Sequence, residues 1–226
     1  REISYAEIVP LLGKFAQSTS TVVNAAMYRV ANNLKKFVKP GSAEEKNLQA
    51  LFDKLSAKQV ARLGWEPKAG ESNDDQLTRP YVLNAALYAE NKDAVAKAHE
   101  IFTENKDNLI GLSADIRLFV LRNEVKNYGS AELFNNLLND YVKTADPSYK
   151  EDLSVAITST PDAELIKKLI SKFEDADTIK PQDLRAWYRG TLANKEAQQD
   201  AWDWIRNDWS SKEKTVGGDM EFSTII

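Results

Sequence analysis

The sequence predicts an all-α fold, an α-solenoid of stacked antiparallel helix pairs of the HEAT/armadillo superhelix type. Three observations carry that expectation. Apolar residues recur at spacings of three and four along the chain, and few β-branched runs alternate with period two. Glycine and proline are scarce, at nine and seven in 226 residues. One pattern also returns four times, as "NKDAVAKAHEIFTE" from 91, "GSAELFNNLLNDYV" from 129, "TPDAELIKKLISKFE" from 160 and "NKEAQQDAWDWIRND" from 194. Each copy opens on a turn or cap residue, places an acid and an alanine in its first turn, and continues as an apolar stripe. The starts lie 38, 31 and 34 residues apart, the length of one helix pair. A single pair cannot bury its own apolar faces, so such units stack.

Eleven helices are expected in order. Residues 1–63 form an N-terminal section of three, over 4–17, 20–38 and 43–63. Ile8, Leu11, Leu12 and Phe15 mark the stripe of the first, which Pro10 should kink. Val22, Val23, Ala26 and Val30 mark the second. The polar loop 64–73, within "GWEPKAGESND", is the expected internal boundary. Four helix-pair repeats then fill 74–209, with helices over 74–90, 92–105, 113–127, 130–143, 148–158, 161–174, 181–193 and 195–209. Pro80 either kinks the first of these or sits in the first turn of a later-starting helix. The leading helices echo each other too, since "ADIRLFVLRNEV" and "QDLRAWYRGTLA" share Asp-aliphatic-Arg. In the last helix, Ala201, Ile205, Gln198, Trp209 and Trp202 fall within one arc, with Trp204 just beyond Ala201. That stripe is wider than one neighbour requires, so Trp202, Trp204, Ile205 and Trp209 are expected as a packed seam rather than a platform for a ligand. Residues 210–226 read as a Gly-Gly loop and the start of a truncated helix, and an opening Arg1 with an apolar end suggests a piece of something longer.

Composition narrows the function classes. The net charge is −4 and no run of five Lys/Arg occurs, so nucleic acid is not an expected partner. No apolar run approaches the roughly 18 residues of a membrane span, so no membrane partner is expected either. Zero cysteines leave no disulfide or thiolate site and fit a reducing, cytoplasmic compartment.

Catalytic constellations are mostly missing. His99 is the one histidine, and His99-Glu100 begins an HExxH helix whose second ligand position holds Thr103. One imidazole without thiolates does not make an ordinary zinc site, and a Ser-His-Asp or Cys-His system is equally short of parts. The carboxylate pairs Asp74-Asp75, Glu44-Glu45 and Asp175 with Asp177 lie at loops or helix starts, where negative charge stabilises the helix dipole. "VGGDMEF" lacks phosphate-loop spacing, although its glycines permit a tight turn. No catalytic residue, metal ligand or cofactor is expected within this chain.

Three stretches in order, "LGWEPKAGESNDDQLTR" (63–79), "QDLRAWYRGTLANKEAQQDAWDWIRNDW" (182–209) and "VGGDMEFSTII" (216–226), resemble the C-terminal helical domain of the aminopeptidase N family of zinc metallopeptidases. The likeness rests on Leu-Gly-Trp before the repeats, on Gln182-Asp183, and on Ala201-Trp202, Trp204 and Asn207-Asp208-Trp209. The resemblance implies a parent enzyme that removes N-terminal amino acids from peptides. Its zinc and its HExxH and GxMEN motifs would sit in an upstream domain, so zinc belongs to the parent only. The chain's partners would be that catalytic domain and, through it, the peptide substrate, whose cavity the helical domain walls and gates. By the same resemblance Gly217, Gly218, Met220 and Thr224 face the cavity. The alternative is an independent helical-repeat adaptor binding a peptide or protein in its concave groove.

Overall fold

In a computed structural model of the chain, the structure describes residues 5–207 and 209–210. All regular structure among the described residues is helical. The α-helices are α1 (Tyr5–Phe15), α2 (Thr21–Leu34), α3 (Ala43–Leu63), α4 (Asn73–Tyr88), α5 (Lys92–Asn105), α6 (Ala114–Asn127), α7 (Ala131–Lys143), α8 (Pro147–Ile157), α9 (Ala163–Ser171), α10 (Leu184–Ala193) and α11 (Gln198–Asn207). Short 3-10 turns follow α2 at Lys35–Phe37 and α5 at Leu109–Gly111.

Local chemistry starts these helices. The hydroxyls of Ser42, Ser72 and Ser130 accept from the backbone N–H of Glu45, Asp75 and Leu133, each at 3.1–3.2 Å. Asp146 and Asp162 do the same for α8 and α9, at 2.7 Å to Tyr149 N–H and 3.1 Å to Leu165 N–H. Each bond satisfies a backbone donor that the helix itself leaves without a partner. Two of the predicted acid pairs stand inside these first turns, Glu44-Glu45 and Asp74-Asp75. α4 begins at Asn73 and continues through Pro80, so Pro80 is not in the first turn of a later-starting helix.

The described residues form two compact units, divided between Glu104 and Asn105. In the first, α3 packs on α4, and α2 packs on α1 and α4, around a core that includes Leu12, Met27, Tyr28, Phe52, Leu55, Leu63 and Val82. The 64–73 loop, expected from its polarity to be the internal boundary, lies inside this unit. Gly64 ends α3 with φ +67°, a conformation that glycine adopts at no steric cost. Trp65 is buried, Glu71 pairs with buried Arg79 of α4, and Arg62 meets Asp75 at 2.7 Å.

In the second unit, α6, α8 and α10 pack side by side, α7 packs on α8, and α11 packs on both α9 and α10. This layered pairing is compatible with a helical solenoid. The α8–α10 approach depends on Gly190, where an added Cβ would lie 2.4 Å from Thr158 Oγ1. The repeated "NK" signature also has a structural meaning. Asn91 accepts from Ala94 N–H at the start of α5 (3.1 Å), while its amide donates to Asp53 of α3 at 2.8 Å. Asn194 accepts from Glu196 N–H (3.1 Å), and its amide donates to the carbonyls of Thr158 and Thr160 at 2.9 and 2.7 Å.

Candidate functional site

The residues singled out as a seam converge on the last helix pair, but not equally. Ala197, Ala201 and Ile205 are buried and form the floor of α11 against its neighbours. Trp204 stands beside them, half-buried, with Phe173 edge-on at 5.2 Å and 87° and Tyr188 of α10 tilted at 5.9 Å. Edge-on geometry directs a positive ring rim onto a negative face, and such pairs add about 0.5–1.5 kcal/mol beyond burial.

Trp202 and Trp209 stand at the margin of this group. They are 40% and 39% exposed, so these indoles flank the seam rather than fill it.

The aromatic anchor of this region is instead Trp187 of α10. It is fully buried and meets Tyr141 of α7 edge-on at 4.8 Å. The Tyr141 hydroxyl donates to Asp183 Oδ2 at 3.0 Å, which ties α7 to the start of α10. Burial pushes the Tyr141 and Tyr188 hydroxyls up to about 12. The signal for Trp187 was present in "LRAWYRG", where an aromatic pair lies between two arginines on a short helix. The Asp-aliphatic-Arg echo also acquires a role. Arg117 of α6 is buried, donates from Nε to Asp152 Oδ2 of α8 at 2.6 Å and from Nη2 to Ser148 Oγ at 3.1 Å, and lies 5.1 Å from the Tyr149 ring. Burial raises the Asp152 carboxyl and the Arg117 charge opposes that rise.

Between α9 and α11 is an open cavity of about 510 Å³, lined by Lys167, Ile170, Ser171, Glu174, Asp200, Asp203, Trp204 and Asn207. Ile170 and the Trp204 ring supply apolar wall, and the carboxylates supply a negative rim. The lining Lys167 meets Glu164 at 3.0 Å, and the lining Asp203 meets Arg206 at 2.9 Å.

The other candidate chemistry resolves into structure. His99 is half-buried on α5, and Thr103, at the would-be second ligand position, donates its hydroxyl to the His99 carbonyl at 2.9 Å. Asp175 accepts from Lys172 at 2.9 Å, from the Thr178 hydroxyl at 2.8 Å and from the Asp177 and Thr178 N–H groups. Lys172 and Thr178 hold its carboxyl down at about 2, as expected of an acid that staples a turn. Among the described residues, no group of three or more His, Cys, Asp or Glu side chains is placed to hold a metal ion. No helix among the described residues is long and apolar enough to cross a membrane. Gly217, Gly218, Met220 and Thr224 lie outside the described residues.

Comparison with known proteins supplies the wider frame. A family model described as "ERAP1-like C-terminal domain" matches residues 1–226. An aminopeptidase N from Lactobacillus helveticus is 60% identical over 226 residues, covering 100% of this chain and 27% of the relative. One from Lactobacillus delbrueckii subsp. lactis is 54% identical over the same 226 residues, with the same coverage. A glutamyl aminopeptidase from Bos taurus is 27% identical over 170 residues, covering 74% of this chain and 18% of the relative. The chain thus spans 27% of the length of its similar bacterial relatives.

Proposed function

The chain belongs to the ERAP1-like C-terminal domain family, and from that membership we propose that it is the non-catalytic C-terminal domain of a zinc-dependent aminopeptidase. In this reading the preceding polypeptide holds the zinc and cleaves N-terminal residues from peptides. The present chain walls the substrate cavity and gates access to it. The observation that carries the reading is full-length similarity to a C-terminal domain, joined to relatives named as aminopeptidases that are nearly four times longer. Stacked helix pairs suit the task, since a rigid scaffold can exclude water and oversized substrates without any titrating group of its own. Gly217, Gly218, Met220 and Thr224 are the residues proposed to approach the cavity, beyond the helices described here.

The test is complementation. Mixing the 226-residue chain with the separately purified preceding portion of the parent should restore cleavage of an aminoacyl-anilide, and a zinc chelator should abolish it. If the two portions associate and cleavage is no different from that of the preceding portion alone, the gating role is wrong. Chelator-sensitive hydrolysis by the 226-residue chain alone would overturn its non-catalytic assignment.

A further inference from the structure

From the corner between α1 and α2, we infer a docking surface for the preceding polypeptide of the parent, an inference that rests on the C-terminal-domain reading above. Leu11 and Phe15 stand one helical turn apart on α1 and are 46% and 49% exposed, while their neighbours Leu12 and Ala16 are buried in the core. Val22, in the first turn of α2, is 74% exposed. A single exposed leucine needs no explanation, but Leu11 and Phe15 share one face of α1 at i, i+4 spacing and Val22 follows just past the turn. Exposed large apolar side chains gathered along so short a stretch are what an interface uses.

The corner is rigid, which an interface favours. The amide of buried Asn24 donates to the carbonyls of Ser18 (2.7 Å) and Ser20 (2.9 Å). Buried Gln59 reaches from α3 to donate to the same Ser18 carbonyl at 2.8 Å, and Ser18 N–H closes the turn onto the Phe15 carbonyl at 2.9 Å. Two amides on two helices therefore fix the backbone between Phe15 and Val22. A surface held in its bound shape loses little conformational freedom when a partner covers it.

The occupant follows from the length of chain outside this structure. The matching family is a C-terminal domain, and this chain accounts for only 27% of a similar relative, so most of the parent precedes it. That polypeptide joins the chain within a few residues of α1, which begins at Tyr5. The preceding portion is therefore tethered beside Leu11 and Phe15 at high effective concentration, and even a modest apolar patch suffices to hold it.

Hydroxyl-radical footprinting of the full-length parent tests this. Leu11 and Phe15 should oxidise several-fold more slowly than their half-exposed state in this chain dictates, with Val142 of α7 (46% exposed) as internal reference. Oxidation of Phe15 at the rate of a half-exposed phenylalanine overturns the proposal. So does protection that vanishes on dilution, since that would make a second copy the occupant. In the full-length parent, Phe15→Glu with Val22→Lys should speed proteolysis around residues 5–22 several-fold, and unchanged proteolysis counts against the surface. Aminoacyl-anilide cleavage by the wild-type parent is read separately, so an inactive parent would sink the aminopeptidase reading while leaving the footprint to decide the docking surface.

Discussion

Arg79 is 1% exposed at its side chain and pairs with Glu71, itself only 4% exposed, while a second bond runs to the Leu63 carbonyl at 3.4 Å. Removing the carboxylate leaves a guanidinium without its counter-charge in a poorly solvated place. Glu71→Ala should therefore cost about 3–5 kcal/mol in urea unfolding. A loss below 1 kcal/mol would mean that water reaches Arg79 freely. At the other end of the chain, Ile205 and Trp209 make a controlled comparison. Ile205 is 1% exposed and Trp209 is 39% exposed, so Ile205→Ala should cost about 2–5 kcal/mol, and Trp209→Ala should cost less despite the larger side chain. Equal or reversed losses would return Trp209 to the buried seam. A helical projection gave the arc on which both residues lie, but it could not say which edge of the arc a neighbour covers. That depends on where α9 and α10 run, and no residue of α11 encodes it.

At the scale of the element, α8 and α10 approach as closely as Gly190 permits. Gly190→Ala sets a methyl against Thr158 Oγ1, whose hydroxyl is already committed to the Ser154 carbonyl at 2.8 Å. Overpacking of this kind costs about 1–3 kcal/mol. Adding Thr158→Ala should recover part of it, read as a coupling in a double-mutant thermal-unfolding cycle. Zero coupling would show that the two helices simply move apart. Helix positions were legible because periodicity, serine and aspartate caps and the repeated asparagine all point the same way; α3 and α5 match their expected limits of 43–63 and 92–105. The Gly190 contact was not legible, since a glycine inside a helix gives no sign of which neighbour requires it.

At the scale of the whole molecule, the polar loop 64–73 and the division into compact units fall at different places along the chain. Loop 64–73 is rich in charge, yet Glu71, Trp65 and Gly64 tie it to α3 and α4, and the compact units divide at 104/105 instead. Composition counts charges without knowing that some are neutralised in place. The tyrosines make a prediction that spans both units. Burial is the main force pushing Tyr88, Tyr141 and Tyr188 up to about 12 from the ordinary 10.0. The unfolded chain therefore releases these protons first as pH rises. The stability these groups contribute is complete below pH 10 and is lost as pH climbs through about 12. Phenolate absorbance near 295 nm should thus lag the ordinary tyrosine titration and then rise together with unfolding. Smooth titration near pH 10 in the folded protein would contradict their burial.

Asn194 adds a consequence for how the second unit breathes. Its amide grips two carbonyls at the far end of α8, 36 and 34 positions back along the chain, while its own oxygen holds the entry to α11. Fraying that begins at either place must first release the same side chain, so successive hairpins share one latch. Their fraying is therefore expected to be coupled through Asn194.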